Sequence, residues 1–314
     1  GPDFKGIIDL IEMKALYPND GAKTYKKEDI PADMAEQAQE YREKLIEAIA
    51  ETDDELTMKF LEGEELSDEE IKNGLSKTIT NGKVVLATCG SAEQSIGVLQ
   101  LVDIIAKEFP APTFAGEIEG HKPGKSGDKM KRKIDSSEPL SIFVFKTRID
   151  QYSGILNYFK VETGTLHSDS ELIVSKSNSK IKPGHIFIKK AGKLIETDKI
   201  NAGDIGIISK VEGVHTGNTL CDAKNPIEFA DLKMPQPVYA LAIHAKEKKD
   251  EDKMNQLLHR SAEEDPTFHL QFNSETKQNV ISGMGELQLN IILDSLKKKN
   301  KIETVTELPR IAYR

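Results

Sequence analysis

The fold is decided by the stretch Val84-Val-Leu-Ala-Thr-Cys-Gly-Ser-Ala-Glu-Gln-Ser-Ile-Gly-Val-Leu-Gln-Leu-Val-Asp-Ile-Ile-Ala-Lys107. Its opening run, Val84 to Thr88, is short and almost wholly apolar, which predicts a strand buried on both faces of a parallel sheet. Apolar residues then recur at helical spacing, at Val98, Leu101, Val102 and Ile105, until a Pro-rich break. The loop Cys89 to Ala92 is therefore expected at the carboxyl end of a strand, where open α/β sheets bind ligands.

The chain is long enough for two or three hydrophobic cores, since it has 314 residues of which 38% are hydrophobic. No run approaches the roughly 18 apolar residues of a membrane span, and no signal segment opens the chain. A soluble, cytoplasmic protein is therefore expected. Cys89 and Cys221 lie far apart in segments of different character, so we expect no disulfide and two small, buried or half-buried thiols.

Charge is distributed unevenly along the chain. Residues 1–110 contain 12 Lys and Arg against 24 Asp and Glu, a net charge of −12, so residues 111–314 carry +3 of the total of −9. The acidic part is expected to be repelled by nucleic-acid phosphate, whereas the mixed part could approach it. The simpler interpretation of the acidic part is that Glu-rich helices have solvated faces.

Three stretches carry a resemblance to a known family. Thr88-Cys-Gly-Ser-Ala92 resembles the fifth guanine-nucleotide motif of translational GTPases. The opening Phe4-Lys-Gly-Ile-Ile-Asp-Leu-Ile-Glu-Met-Lys-Ala15, and Arg260-Ser-Ala-Glu-Glu-Asp-Pro-Thr-Phe268 with Ile281-Ser-Gly-Met-Gly-Glu-Leu-Gln-Leu289, resemble elongation factor G, in which all occur in this order. Over essentially its whole length the chain looks like a middle section of that factor, beginning after the phosphate-binding motifs and ending just inside the fourth domain.

The resemblance implies a role for Ser91 and Ala92. In the family, backbone N–H groups of this turn meet the guanine carbonyl oxygen, so these two residues are the cofactor-binding candidates, in the intact parent only. GTP and Mg²⁺ are implied for that parent. For this chain alone no cofactor and no catalytic residue are expected, because the phosphate loop, the Mg²⁺-holding side chains and the Asn-Lys-x-Asp motif are missing from its sequence. Independently of the resemblance, Ser91 could be a helix N-cap, and both roles can hold together.

The front of the chain divides into two predicted parts. Residues 1–82 are expected to form a helical and β insertion subdomain of the GTPase domain, and residues 83–112 the last strand, loop and helix of that domain. Capping-box patterns at Thr52-Asp-Asp-Glu55 and Ser67-Asp-Glu-Glu70 predict helix starts, and Asn81-Gly82 predicts a helix end. Gly1-Pro2 could be a cloning scar or native sequence.

Residues 113–137 lack apolar periodicity and are rich in Gly, Lys and Arg, which predicts an exposed linker or long loop. Gly124-Lys125-Ser126 looks like the end of a P-loop, but position 119 is Glu where the first Gly would stand. No apolar strand precedes these residues and no helical pattern follows, so a nucleotide site is not expected there.

Residues 138–234 show short β-rich runs separated by turn residues, which is typical of an all-β barrel. This part looks like the second-domain barrel of translational GTPases, with Gly164, Gly203 and Gly217 where the family has turn glycines. Lys160 stands where the family usually has Arg. It keeps the charge without the forked geometry, which puts a phosphate or carboxylate contact there in doubt.

Residues 235–307 show the order βαββαβ of a ferredoxin-like α+β domain, and residues 308–314 look like the start of a fourth domain. Gly283-Met-Gly285 is interpreted as a sharp turn that needs glycine conformations, not as a dinucleotide fingerprint. The family has Gly-Met-Gly-Glu-Leu-His-Leu here, whereas this chain has Gln288 in place of the imidazole. The seven histidines have no metal-ligand spacing, so no metal site is expected.

The resulting prediction is a multidomain α/β plus β protein, a fragment of an elongation factor G-like ribosomal translocase that serves docking and interdomain coupling. Its expected partners are small-subunit rRNA and protein, the ribosomal stalk protein, and tRNA and mRNA through domains outside this chain. A monomer without membrane contact is expected. Two alternatives stay open: a non-enzymatic ribosome- or protein-binding module, and the middle of a ribosomal protection or release-factor GTPase. Lys160 and Gln288 suggest a divergent paralogue.

Overall fold

A computed structural model describes residues 3–51, 53–150 and 153–311, without the side chain of Ser126. The chain divides into two compact units, Gly1–Ala111 and Pro112–Arg314. None of the described helices is both long and apolar enough to cross a lipid bilayer. The mixture of several sheets with helices is the multidomain fold class that the sequence predicts.

The described part of the first unit contains a three-stranded antiparallel sheet and four helices: β1 (Ile7–Asp9), β2 (Lys14–Asn19), β3 (Thr24–Glu28), α1 (Ala35–Ala50), α2 (Asp54–Leu61), α3 (Asp68–Thr80) and α4 (Val98–Glu108). The turn between β2 and β3 uses Asp20 and Gly21, whose φ angles of 49° and 62° place both in the left-handed region. The small antiparallel piece expected near the start of the chain is therefore present.

Helix caps define the middle of this unit. Ser67 and Glu70 form the reciprocal capping box that the sequence predicts at the start of α3, and Asn81 caps its end. The other predicted box falls partly on Thr52, which lies outside the described residues. The residue that caps α2 is Asp53, whose carboxylate accepts the N–H groups of Glu55 and Leu56.

The strand predicted at Val84–Thr88 is wrong. This segment has no assigned strand and Val85 is 92% exposed, because no described strand pairs with it. The helix α4 does form where the apolar spacing predicts it. Its stripe is nevertheless exposed, with values of 40%, 43%, 54% and 50% for Val98, Leu101, Val102 and Ile105. Leu86 nevertheless packs against the core of the first unit, so the segment Val84–Thr88 is attached there without forming a strand, whereas the apolar stripe of α4 stays exposed.

The second unit begins with a two-stranded hairpin, β4 (Glu117–Lys122) and β5 (Lys125–Lys133). The linker predicted at residues 113–137 is therefore wrong for most of its length. One face of the hairpin is built from Ile118, Met130 and the buried Arg132, which donates to the carbonyls of Pro139 and Asn225. The other face of the hairpin is polar. The alternation of buried and exposed residues that predicts a strand is therefore not visible in the hydropathy of this Lys- and Gly-rich sequence. Gly124, part of the apparent P-loop remnant, is in the hairpin turn with φ 70°.

The barrel domain follows, with ten strands in the described residues: β6 (Ser141–Asp150), β7 (Gly154–Thr163), β8 (Thr165–His167), β9 (Leu172–Val174), β10 (Ser179–Ile181), β11 (Ile186–Lys190), β12 (Lys193–Thr197), β13 (Lys199–Asn201), β14 (Ile205–Ser209) and β15 (Thr219–Cys221). Eight of them pair antiparallel in the order β10-β9-β15-β6-β7-β14-β11-β12, and β8 pairs with β13. Side chains from both groups enclose one core around Phe159, Val161 and Leu166. The three expected turn glycines, Gly164, Gly203 and Gly217, all have positive φ, of 79°, 90° and 89°.

The last domain has the predicted βαββαβ order, with β16 (Tyr239–Ala245), α5 (Glu251–Glu264), β17 (His269–Asn273), β18 (Gln278–Gly283), α6 (Glu286–Asn300) and β19 (Thr304–Glu307). Its four strands are all antiparallel in the order β17-β18-β16-β19. Met254 and Leu258 of α5 and Leu289 and Leu296 of α6 pack on the sheet, which is the two-layer ferredoxin-like arrangement.

Within the second unit, Glu264 joins the last domain to the barrel. Its Oε1 accepts the backbone N–H of Ile149 in β6 at 2.6 Å, and the Arg148 guanidinium lies 3.8 Å away. A hydrogen bond to a charged group contributes about 1.5–3 kcal/mol, whereas an exposed ion pair contributes at most about 1 kcal/mol. The N–H of Ile149 is therefore the stronger of the two attachments.

We predict that Gly164→Ala destabilises the barrel more than Gly213→Ala. Both glycines have similar φ angles, 79° and 73°, so both substitutions strain the backbone by about 1–2 kcal/mol. A Cβ at Gly164 would also lie 2.6 Å from the Cα of Leu140, whereas Gly213 faces open space. The clash adds about 1–3 kcal/mol. Denaturant midpoints of the barrel transition measure the difference, and equal losses for both variants would show that close packing at Gly164 is unimportant.

Candidate functional site

The loop that contains Ser91 and Ala92 is closed by its own backbone. Ser91 donates its N–H to the carbonyl of Ile96 at 2.9 Å, and Ile96 donates back to the carbonyl of Ser91 at 3.0 Å. This pair of hydrogen bonds fixes the ends of a six-residue loop whose central residues, Ala92 to Ser95, are exposed. The side chain of Ile96 is buried beneath it. The loop is therefore held in shape without help from a ligand.

Two glycines allow this closure. A Cβ on Gly90 would lie 2.7 Å from the Ile96 carbonyl oxygen, and a Cβ on Gly97 would lie 2.7 Å from the Cys89 carbonyl oxygen. Gly97 also has a φ of 79°, which favours glycine. The two sides of the loop approach so closely that no larger side chain fits at either position.

The interpretation of Ser91 as a helix N-cap is wrong. The helix α4 begins at Val98 with Gly97 as its N-cap and has no side-chain cap hydrogen bond. The Ser91 hydroxyl instead accepts the N–H of Gln94 at 3.4 Å inside the loop. The cause is the loop itself, which inserts a closed turn between Ser91 and the helix, so the hydroxyl cannot reach the first helical N–H groups.

The loop leaves one of its two candidate N–H groups available. The N–H of Ser91 is used in closing the loop, whereas the exposed Ala92 N–H has no hydrogen-bond partner in the described part of the chain. A carbonyl acceptor placed above the loop could therefore accept from Ala92 without breaking an existing bond. Cys89 beside it is exposed, contrary to the expectation of a buried thiol, whereas burial raises the pKa of the fully buried Cys221.

Lys160 lies on β7 and has a local partner. Its Nζ is 2.8 Å from Oε2 of Glu162, whose side chain is only 9% exposed. Two positions before it, Tyr158 accepts a hydrogen bond from Lys189 at 3.1 Å. The charge of Lys160 is thus directed to a carboxylate on its own strand, which a single ammonium can satisfy without the forked geometry of Arg.

Gln288 connects three segments of the last domain. Its Nε2 donates to Oδ2 of Asp265 at 2.6 Å and to the hydroxyl of Thr267 at 2.9 Å. Its Oε1 accepts the N–H of Met284 at 2.6 Å. Burial raises the pKa of Asp265, but hydrogen bonds from the hydroxyl and N–H of Thr267 and from Gln288 outweigh it, so the pKa is lowered overall.

Gly283 and Gly285 do not need glycine conformations, contrary to the sequence interpretation. Gly285 has φ 169°, which is extended backbone open to any residue, and Gly283 does not lie in the left-handed region. A Cβ at Gly283 would lie 2.3 Å from Oε1 of Gln288, so a larger residue there would displace this amide from its hydrogen bonds. No group of three or more His, Cys, Asp or Glu side chains within residues 3–51, 53–150 and 153–311 is arranged to hold a metal ion.

Comparisons with known families cover the two domains of the second unit. The family model for elongation factor G domain 2 matches residues 139–223. The model for elongation factor G domain III matches residues 234–307. The two matches are consecutive and together cover about half of the chain. The chain belongs to the elongation factor G family.

A solved structure extends this similarity to the first unit. A crystal structure of a protein from Thermus thermophilus is similar with a TM-score of 0.79 and 27% identity, covering 98% of this chain and 43% of that one. The present chain thus spans less than half of the length of that protein. The barrel is the elongation factor G domain 2, and the ferredoxin-like domain is its domain III.

Two structural contacts of these elongation factor G domains were missed at the sequence level. One is the backbone pairing of His121 with Glu228, which fixes the β4–β5 hairpin against the chain after the barrel. The other is the bond from Ile149 to Glu264. Both join positions more than 100 residues apart and use a backbone N–H, so no local pattern of side chains could have indicated them.

We predict that Gln288→Leu destabilises domain III by about 2 kcal/mol at neutral pH, because Asp265 and the N–H of Met284 lose their partner. The loss also raises the pKa of Asp265. Since that pKa is lowered from 3.8 in the folded wild-type protein, its contribution to stability is present above 3.8 and disappears as the pH falls through the lowered value. The difference between the proteins should therefore shrink in acid.

Hydrogen exchange of the α6 amides measures this difference. Asn290→Leu, at an exposed position of the same helix, is the matched control and should have little effect. A Gln288→Leu protein as stable as the control at neutral pH would contradict the assigned role.

Proposed function

We propose that the chain is part of an elongation factor G-like ribosomal translocase, a GTP-dependent factor that moves tRNA and mRNA during protein synthesis. The observation that carries the proposal is the occurrence of two consecutive elongation factor G domains, at residues 139–223 and 234–307, in one chain. The similarity to less than half of a longer Thermus thermophilus protein supports further domains in the intact factor.

Within this proposal each unit has its own partner. The barrel and domain III dock on small-subunit rRNA and protein, and the acidic helices of residues 1–82 contact the ribosomal stalk protein. In the intact factor, GTP binds with Mg²⁺, and the loop at Ser91 and Ala92 recognises the guanine edge. The free, exposed N–H of Ala92 supports this assignment, and it implies that Ala92, not Ser91, donates to the base. The factor is cytoplasmic and monomeric.

The first experiment is co-sedimentation of the chain with ribosomes at increasing salt. Contacts between Lys or Arg and phosphate release counterions, so the logarithm of the binding constant should fall linearly with the logarithm of the salt concentration. An unrelated acidic protein of similar size controls for trapping in the pellet. Sedimentation that is absent at low salt, or unchanged after a severalfold rise in salt, would contradict docking through phosphate contacts.

The second prediction concerns the nucleotide. The chain as given contains no Gly-x-x-x-x-Gly-Lys-Ser/Thr sequence. One amide hydrogen bond from Ala92 contributes about 0.5–1.5 kcal/mol, whereas even millimolar binding requires about 4 kcal/mol. Calorimetry on the 314-residue chain should therefore detect neither GTP binding nor a preference for GTP over ATP. Micromolar affinity would require a phosphate site that the sequence does not indicate.

A third experiment separates translocation from ribosome recycling or protection. The intact factor that contains this chain should restore growth of cells depleted of their own translocase. Failure to restore growth, with normal ribosome binding, would favour a paralogue with a different task on the ribosome. Lys160 and Gln288 replace the Arg and His that are usual in the family. Lys160→Arg and Gln288→His are therefore the first substitutions to test in such a protein.

A further inference from the structure

One part of the barrel surface is unusually basic for this chain. Residues 175–195 contain six lysines and no Asp or Glu, although the whole chain has a net charge of −9. All six lysine side chains are exposed: Lys176, Lys180, Lys182, Lys189, Lys190 and Lys193. Three of them lie at the end of the β11–β12 hairpin, and we call Lys189, Lys190 and Lys193 the lysine tip.

The lysine tip contains an unfavourable pair. Lys190 and Lys193 are directly opposite each other across the two strands, and neither forms an ion pair with a described carboxylate. Like charges in directly opposite positions destabilise a sheet. The turn between them, Ala191 and Gly192, has φ angles of 48° and 81° and brings the two strands together tightly. The pair therefore lowers stability in the free chain, and an anion bound between the two ammonium groups would remove the repulsion.

The third lysine of the tip is held in position. Lys189 donates to the Tyr158 hydroxyl at 3.1 Å and its Nζ lies 5.6 Å from the centre of the Tyr158 ring. The hydroxyl is neutral, so this contact orients the charge of Lys189 without neutralising it. Three cations within five residues are thus presented on a short, two-stranded projection.

The other lysine-rich hairpin of the same unit has a different arrangement. In β4–β5, Lys129 lies 2.7 Å from Glu119 and Lys131 lies 3.7 Å from Glu117. Those lysines already have carboxylate partners, which gives them an ordinary structural explanation. The lysine tip has no such partners within the described residues, so an external polyanion could bind there without displacing a carboxylate.

We propose that the lysine tip of the β11–β12 hairpin binds the phosphate backbone of RNA without reading its sequence. Closely spaced cations on a projecting hairpin suit successive phosphates, and RNA helices are recognised mainly through phosphates, 2′-hydroxyl groups and shape. The choice of RNA among polyanions rests on the proposed ribosomal function. It assigns part of that docking to three named side chains.

The test is the salt dependence of binding to an RNA duplex of about 16 base pairs, measured by fluorescence anisotropy with the full chain. Replacing all three tip lysines by Gln should reduce the slope of log binding constant against log salt by about 3, or about 1 for each phosphate contact. The matched control removes three exposed lysines that already have carboxylate partners, in Lys129→Gln, Lys131→Gln and Lys246→Gln. The control should keep the wild-type slope, as should a variant with Arg at the three tip positions.

Folding of the tip variant is checked by its melting temperature, which should be unchanged or higher because the repulsion of Lys190 and Lys193 is removed. Equal slopes for the tip variant and wild type, or equal losses for the tip and control variants, would overturn the proposal. So would tip-dependent binding to phosphatidylserine vesicles with none to RNA, which would indicate a membrane surface.

Ribosome co-sedimentation in parallel separates this proposal from the proposed function. A tip variant that loses the RNA slope while the wild-type chain fails to sediment with ribosomes would overturn the ribosomal function and support the lysine tip. If the chain sediments with ribosomes but the tip variant keeps the wild-type salt slope for RNA binding, the ribosomal function is supported and the proposal for the lysine tip is overturned.

Discussion

The backbone pairing of β6 with β7 is the interaction on which the second unit depends. Each strand has ten residues, whereas every other described strand of the barrel has three or five. β15 pairs with the free side of β6, and β14 pairs with the free side of β7, so both halves of the barrel sheet are attached to this ladder. Phe159 and Val161 of β7 lie at the centre of the core. A slip of one residue in the ladder would turn both side chains to the outside.

Domain III is attached to the same pair of strands, β6 and β7. Ile149, near the end of β6, donates to Glu264, so the orientation of α5 depends on where the strand ends. The pairing contains irregularities at Ser141/Ile142 and between Val144 and Lys146, which shift the register along β6. The irregularity between Val144 and Lys146 moves the buried positions of β6 from the even-numbered Ile142 and Val144 to the odd-numbered Thr147. The position of the bond to domain III is therefore determined by backbone irregularity within the barrel.

The sequence predicted those elements whose apolar residues have their partners close by in the chain. The βαββαβ order, the Ser67 capping box and the turn at Gly164 each follow from a local pattern that the structure satisfies locally. The strand prediction for Val84–Thr88 is wrong because an apolar run indicates only that a segment needs partners, and no described strand pairs with this one. The β4–β5 hairpin was missed for the opposite reason. Its buried face uses Gly120 and Arg132, residues that hydropathy counts as polar or neutral.

The sequence predicted a loop at Ser91 and Ala92, but it did not predict how the backbone of that loop is hydrogen-bonded. Ser and Ala before a helix suggest an N-cap, and only the closure of Ser91 onto Ile96 shows which N–H groups are occupied. That closure depends on how closely two backbone segments approach at Gly90 and Gly97. Sequence marks such glycines as permissive positions, but it does not say which carbonyl each one approaches.

Gln288 illustrates how a departure from the family pattern can be chemically consistent. Its amide donates two hydrogen bonds, to Asp265 and Thr267, and accepts one from Met284. A neutral imidazole has one donor and one acceptor, so it could satisfy only two of these three. A protonated imidazole has two donors and would leave the Met284 N–H without an acceptor. Because an amide does not titrate, Gln288 keeps all three bonds across the pH range in which a histidine, with a pKa near 6.5, would change its charge.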